Sequence, residues 1–246
     1  MMNADTYGAS GWRPTALGLA GILLLAGLLS ACNITGPEDE RWLDVSSFSW
    51  PTDTQAVMHY KTVKASSPSP SSYTVNIRLA DSTDRRNATL KDKLTRINRW
   101  NLADQIYMLD KANYSHKEYF IPLKDTLIAL MSEVGATYAL VAPLDTGHTW
   151  YCSYGDDNNP TQQARIVERY SYRKIEGKIY KNVIEVKYSS VGSVSDTSFW
   201  VCFYAQGIGL IQRLKYQIPI KSDNAPDTTP IVEEETVLTE TNIQQK

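Results

Sequence analysis

Tyr170-Ser-Tyr-Arg-Lys-Ile-Glu-Gly-Lys-Ile-Tyr-Lys-Asn-Val-Ile-Glu-Val-Lys-Tyr188 is the stretch that decides the fold. Both halves are rich in β-branched and aromatic side chains, which suit a pleated, half-buried surface. Glu176-Gly177 separates them, and a glycine there supplies the positive φ of a tight hairpin. Two antiparallel strands, 164–175 and 179–190, are therefore expected.

The same texture continues in both directions: short runs of Tyr, Val, Ile, Thr and Trp, broken by Ser, Pro, Asp, Asn and Gly clusters. The expected strands are 56–65, 72–81, 88–99, 105–113, 117–122, 125–131, 137–142, 148–154, 164–175, 179–190, 197–205 and 209–218. Such a series makes the fold class all-β, a single antiparallel meander. Ser66–Ser72, with Pro68 and Pro70, reads as a loop because proline lacks the ladder donor. In 88–106, Leu90, Leu94, Ile97 and Ile106 approximate helical spacing whereas Ala88-Thr89 and Trp100 suit a strand; a strand is expected. Residues 221–246 are acidic and thinly apolar, which predicts a mobile tail with at most one edge strand at 236–240.

Strand 197–205 is apolar in both phases, Phe199, Val201 and Phe203 in one and Trp200, Cys202 and Tyr204 in the other. It must be covered on both sides, by a filled core and either a second layer or the wall of a cavity. Trp150, Cys152 and Tyr154 repeat the pattern in 148–154. Interiors normally pack without large voids, which favours the filled core.

The chain has 246 residues, 42% of them hydrophobic, and a formal net charge of −2. That hydrophobic content excludes disorder throughout. The interleaving of Lys and Arg with Asp and Glu lacks the cationic surplus that phosphate binding requires, so no nucleic-acid partner is expected.

Arg13 precedes an apolar run, Thr15 to Ala31, that ends in Leu29-Ser30-Ala31-Cys32. This ending resembles the lipobox of bacterial lipoproteins. The resemblance implies diacylglycerol transfer to the Cys32 thiol, cleavage between Ala31 and Cys32, and fatty acylation of the new terminus, with no other cofactor. An uncleaved membrane helix is the alternative, since about 17 apolar residues is the lower limit for spanning a bilayer. Asn33 stands where an aspartate would resemble an inner-membrane retention signal, so the outer membrane is the expected location. Glu38-Asp39-Glu40 is similar to acidic surface-export tags, or is a solvated tether. The expected organisation is a signal peptide 1–31, a lipidated tether 32–52, a β domain 53–220 and a tail 221–246.

Pro143-Leu-Asp-Thr-Gly147-His-Thr-Trp150, Gly177-Lys-Ile-Tyr-Lys-Asn-Val-Ile-Glu-Val186 and Phe199-Trp-Val-Cys-Phe-Tyr204-Ala-Gln-Gly207-Ile-Gly209-Leu-Ile211 resemble, in order and spacing, motifs of small lipoproteins of Bacteroidota and Chlorobi. The likeness spans residues 140–213. It implies a strongly curved sheet similar to the half-barrel of lipoprotein-localisation carriers, whose concave side can hold an acyl chain. Physically the motifs are fold determinants: Gly147, Gly207 and Gly209 fall where strands must bend.

Cys152 and Cys202 belong to an oxidising compartment if the chain is exported. In a simple meander they stand three strand spacings apart, about 14 Å, beyond the roughly 7 Å limit for a disulfide, so two buried free thiols are expected. His59, His116 and His148 lack carboxylates or cysteines at ligand spacing, and Asp145 with His148 sits where turn chemistry explains it. No metal site is expected. Gly155–Pro160 lacks the central glycine and distal glutamate of a calcium loop. No nucleophile elbow, phosphate loop or dinucleotide fingerprint is present.

The expected function is a non-enzymatic, membrane-tethered binding or interaction domain of the cell envelope, with an envelope protein or small molecule as partner. Two alternatives are a carrier or sensor of a hydrophobic ligand, held by Trp150, Tyr154, Trp200 and Tyr204, and an envelope hydrolase whose carboxylates meet only in the fold.

Overall fold

The structure is a computed structural model that describes residues 44–81, 106–112, 118–131, 135–154, 159–191, 198–219 and 229–245. Ala31, Cys32, His116, the expected strand 88–99 and the loop 155–158 lie outside the described residues, as does the side chain of Tyr154.

Among the described residues, twelve strands form one antiparallel sheet: β1 (Val57–Lys64), β2 (Ser67–Leu79), β3 (Tyr107–Lys111), β4 (Glu118–Pro122), β5 (Thr126–Met131), β6 (Gly135–Val141), β7 (Thr149–Tyr154), β8 (Pro160–Ile175), β9 (Lys178–Ser190), β10 (Ser198–Ala205), β11 (Gly209–Gln217) and β12 (Ile231–Thr241). The spatial order is β6-β5-β4-β3-β2-β1-β12-β11-β10-β9-β8-β7. Every neighbour is sequential except β1 and β12, which pair with each other and so join the two ends of the chain inside the sheet. The sheet turns through 354° and leaves one unsealed seam, between the consecutive strands β6 and β7. It curls well past a half-barrel.

The hairpin of Tyr170–Tyr188 closes at Ile175↔Lys178. Glu176 has φ 48° and Gly177 φ 81°, the double positive φ of a type I′ turn. Alternation within the strands builds the interior: Met58, Tyr60, Val75, Leu109, Phe120, Leu127, Ile166, Val186 and Leu238 are all buried in one continuous core. A second cluster, Met108, Tyr119, Ile121 and Ile128 with Ala80 and Ile106, occupies the opposite face of β3–β5.

Three expectations need correction. Ser67–Ser72 is strand, not loop: Ser72 and Ser71 pair with Lys61 and Thr62. Among the described residues β3 pairs with β2 only from Val75 onward, so β1 is the one partner described for this stretch, the setting in which a strand tolerates proline. The tail is not peripheral either, since β12 lies between β1 and β11 and buries Val237 and Leu238. Its acidic residues pair with cations on its neighbours, Lys64–Glu234 at 3.1 Å and Lys215–Glu233 at 2.8 Å. Finally, the tether ends before residue 52. Asp44 caps a 3-10 turn, Val45–Phe48, by accepting the Ser46 N–H, and Val45, Phe48 and Trp50 are buried.

This segment plugs one end of the curled sheet. Val45 N–H donates to Lys124 O at 2.8 Å in the β4–β5 turn, and Gly207 N–H donates to Ser47 O at 2.6 Å in the β10–β11 turn. Trp50 packs on Phe120 with ring centroids 5.4 Å apart. Gly209, at φ 90°, lets the plug backbone approach so closely that a Cβ there would stand 2.7 Å from Trp50 N.

Candidate functional site

The inside of the curled sheet brings together most of the aromatic residues that the sequence singled out. Cross-strand register aligns Trp150 with Ala164, Ala164 with Tyr188 and Tyr188 with Trp200 across β7–β10. The Trp150 indole N–H donates to Tyr138 O at 2.7 Å, and the Tyr188 hydroxyl donates to Ala139 O at 2.6 Å. Both bonds reach β6 and stitch the seam that the backbone leaves open. Tyr204 lies 3.1 Å from the Tyr188 hydroxyl. Burial pushes both phenols well above the ordinary tyrosine range and the Cys202 thiol up to about 12. Cys152 and Cys202 are buried thiols outside any disulfide, as expected from strand order.

Trp200 is only half-buried. The Arg213 guanidinium lies over its ring at 4.9 Å, and the Lys215 ammonium at 5.8 Å. Trp150 and Tyr204 therefore act as closing elements of the sheet, and Trp200 as the floor beneath a cationic pair. Tyr154 ends β7, but no contact of its ring is described.

Sequence reasoning missed the polar half of this interior. Lys111 and Glu118 form a 2.8 Å ion pair with side chains only 12% and 5% exposed. Arg213, 7% exposed, lies 3.7 Å from Glu234, and Thr62 and Thr236 share a hydrogen bond of 2.9 Å. A signal was present: Lys111 shares a phase with Leu109, Glu118 with Phe120, and Arg213 faces Cys202 across β10–β11. Between Tyr60, Tyr73, Lys111, Glu118, Arg213 and Trp50 is a void of about 20 Å³, room for about one water molecule.

The outer face of β10 is covered differently. The Arg173 guanidinium lies 3.7 Å from the centre of the Phe203 ring, and the Lys187 ammonium 4.0 Å from that of Phe199. Long cationic stems thus provide the second cover that the two-faced strand required. At the plugged end a groove of about 600 Å³ of mixed lining runs past Ser47, Pro51, Asn182, Gln206, Ile243 and Gln245. Asn182 donates to Gln206 at 2.6 Å.

His148 stacks on Trp150, and Asp145 is held by Arg169 at 3.1 Å, so Asp145 and His148 do not form a ligand pair. Among the described residues, no group of three or more His, Cys, Asp or Glu is placed to hold a metal ion.

These features define an all-β domain whose single antiparallel sheet is almost closed, plugged at one end and ion-paired inside. No protein-family model and no curated protein matches the chain. Among solved structures, it is similar to a proposed exported protein with a YmcC-like fold from Bacteroides fragilis, at 10% identity and a TM-score of 0.45, over 80% of this chain and 99% of that one. It is also similar to a proposed lipoprotein from Parabacteroides distasonis, at 13% identity and a TM-score of 0.36, over 78% and 97% of the two chains.

Proposed function

We propose that this protein is a lipoprotein of the bacterial cell envelope, in the outer membrane, that presents a non-catalytic binding domain at the membrane surface. The observation that carries the reading is Leu29-Ser30-Ala31-Cys32 closing an apolar run, a short distance before a β domain with its own core. Acylation of Cys32 by two or three chains would hold that domain at the bilayer, because each buried methylene contributes about 0.8 kcal/mol and one chain alone binds only marginally. Metabolic labelling with an alkyne fatty acid tests it. Label should enter the protein, vanish in Cys32→Ala, and leave Cys32 as the mature N-terminus. An unlabelled protein, or a terminus elsewhere, overturns the reading.

A carrier of a hydrophobic molecule is the weaker reading. Trp150 and Tyr204 are engaged with other parts of the sheet, and the void among Tyr60, Tyr73 and Lys111 admits about a single water. Lipid retained by the purified protein in native mass spectrometry would revive it.

A further inference from the structure

We infer that the tip of the β8–β9 hairpin is a second membrane contact, a docking surface for the anionic headgroups of a bilayer. Direct pairing sets Tyr172 opposite Lys181 and Lys174 opposite Ile179, and strand alternation places all four on one face. Tyr172 and Ile179 are each 67% exposed, more than any other large apolar side chain among the described residues. Lys174, Lys178 and Lys181 are exposed beside them, and none forms an ion pair among the described residues. Glu176 is the only acid from Arg169 to Lys181, against five cations, in a chain whose net charge is −2. An aromatic and an aliphatic side chain projecting among lysines is the combination that enters a headgroup layer: apolar atoms leave water while the ammonium groups stay at phosphate level.

Topology supports the same occupant. β9 runs antiparallel to β10, so the Glu176-Gly177 turn and the β10–β11 turn lie at one end of the sheet. The plug binds that end through Ser47 and Gly207. The chain therefore joins the domain on the side where the tip projects. A tether from Cys32 to Asp44 spans twelve residues, about 40 Å at full extension. The inference deepens the proposed anchoring and relies on it for a bilayer within reach. The acyl chains at Cys32 suffice for attachment; a basic apolar tip at the same end adds a contact that fixes how the domain lies against the headgroups.

The test keeps the tip separate from acylation. The full chain with Cys32→Ala is reconstituted into vesicles, with flotation to verify that it stays there through its apolar segment 15–31, and Ile179→Cys carries an environment-sensitive dye; Cys152 and Cys202 are buried from the reagent. With phosphatidylcholine vesicles containing phosphatidylglycerol, the dye emission should shift to the blue, and 0.5 M salt should reverse the shift. Pure phosphatidylcholine should give none. Lys174→Glu, Lys178→Glu and Lys181→Glu together should lower the equilibrium constant for docking of the tip by about 100-fold or more, at roughly fivefold per lysine. No shift, an equal shift with both lipids, or a tip that responds only to an acidic protein overturns the inference. Loss of fatty-acid label at Cys32 alone would overturn the anchor and leave this result standing.

Discussion

Gly209→Ala should uncouple the plug from the sheet. The residue has φ 90°, and an added Cβ would stand 2.7 Å from Trp50 N and 2.9 Å from both Ser49 C and Trp50 Cα. The backbone conformation alone costs an L-residue about 1–2 kcal/mol. Its neighbours are main-chain atoms of a buried segment, which cannot swing aside as a side-chain end can, so forced repacking adds about 1–3 kcal/mol. Gly207→Ala is the internal control: its φ is 76°, but a Cβ added there would meet nothing within 4 Å, so it should lose only about 1–2 kcal/mol. Urea unfolding of both variants, followed by tryptophan fluorescence, compares midpoints at constant slope. Gly209→Ala should be the less stable by about 1–3 kcal/mol, with Trp50 emission shifted to the red before the main transition. Equal midpoints, or a Gly209→Ala protein as stable as the parent, would refute the tight seating of Ser49-Trp50 against β11.

Trp150→Phe and Tyr188→Phe each remove one bond from the seam and should cost about 1 kcal/mol, with faster amide exchange in β6; unchanged exchange there would show that the seam is held by other means. Glu118→Gln removes the buried counter-charge of Lys111 and should cost about 3–5 kcal/mol by thermal or urea unfolding, whereas Lys111→Met with Glu118→Leu should recover much of it. The domain should lose stability in alkali. Burial holds Cys202 protonated up to about 12 when folded, against an ordinary 9.0, and raises Tyr188 and Tyr204 as well. The unfolded chain gives up these protons first, so the contribution is whole below about pH 9 and declines as pH rises toward 12. Chemical unfolding from pH 7 to 11 reads this directly, and a flat profile would contradict it.

Local texture carried most of the strands. The hairpin at Glu176-Gly177 was legible because its turn chemistry and its two-residue alternation agree. β12 was not. Thr-, Glu- and Val-rich sequence reads as tail until Lys64, Arg213 and Lys215 on adjoining strands neutralise Glu233 and Glu234. The second half of β2 falls in the expected strand 72–81, but its first half, Ser67–Ser71, hid behind Pro68 and Pro70, which suit a strand where the ladder has a single partner, and the extent of β3 along β2 is not written in the local sequence. The aromatic set was found by its apolar phase. Its role was not, because a meander predicts that β6 and β7 pair through their backbones, whereas in the structure they are the two ends of the sheet and the carbonyls of Tyr138 and Ala139 receive the side chains of Trp150 and Tyr188.

From the residues alone came an antiparallel meander of β-branched strands, its tight hairpin, the glycine bends and an expected acylation at Cys32, all of which depend on local stereochemistry or a contiguous motif. Tertiary structure alone decided that β1 and β12 meet, that the seam falls between β6 and β7, that Trp50 stoppers one end, and that charges line the interior. Those outcomes turn on which distant segments share a face and a hydrogen-bond ladder, and that pairing is settled by the whole set of burial and charge contacts at once.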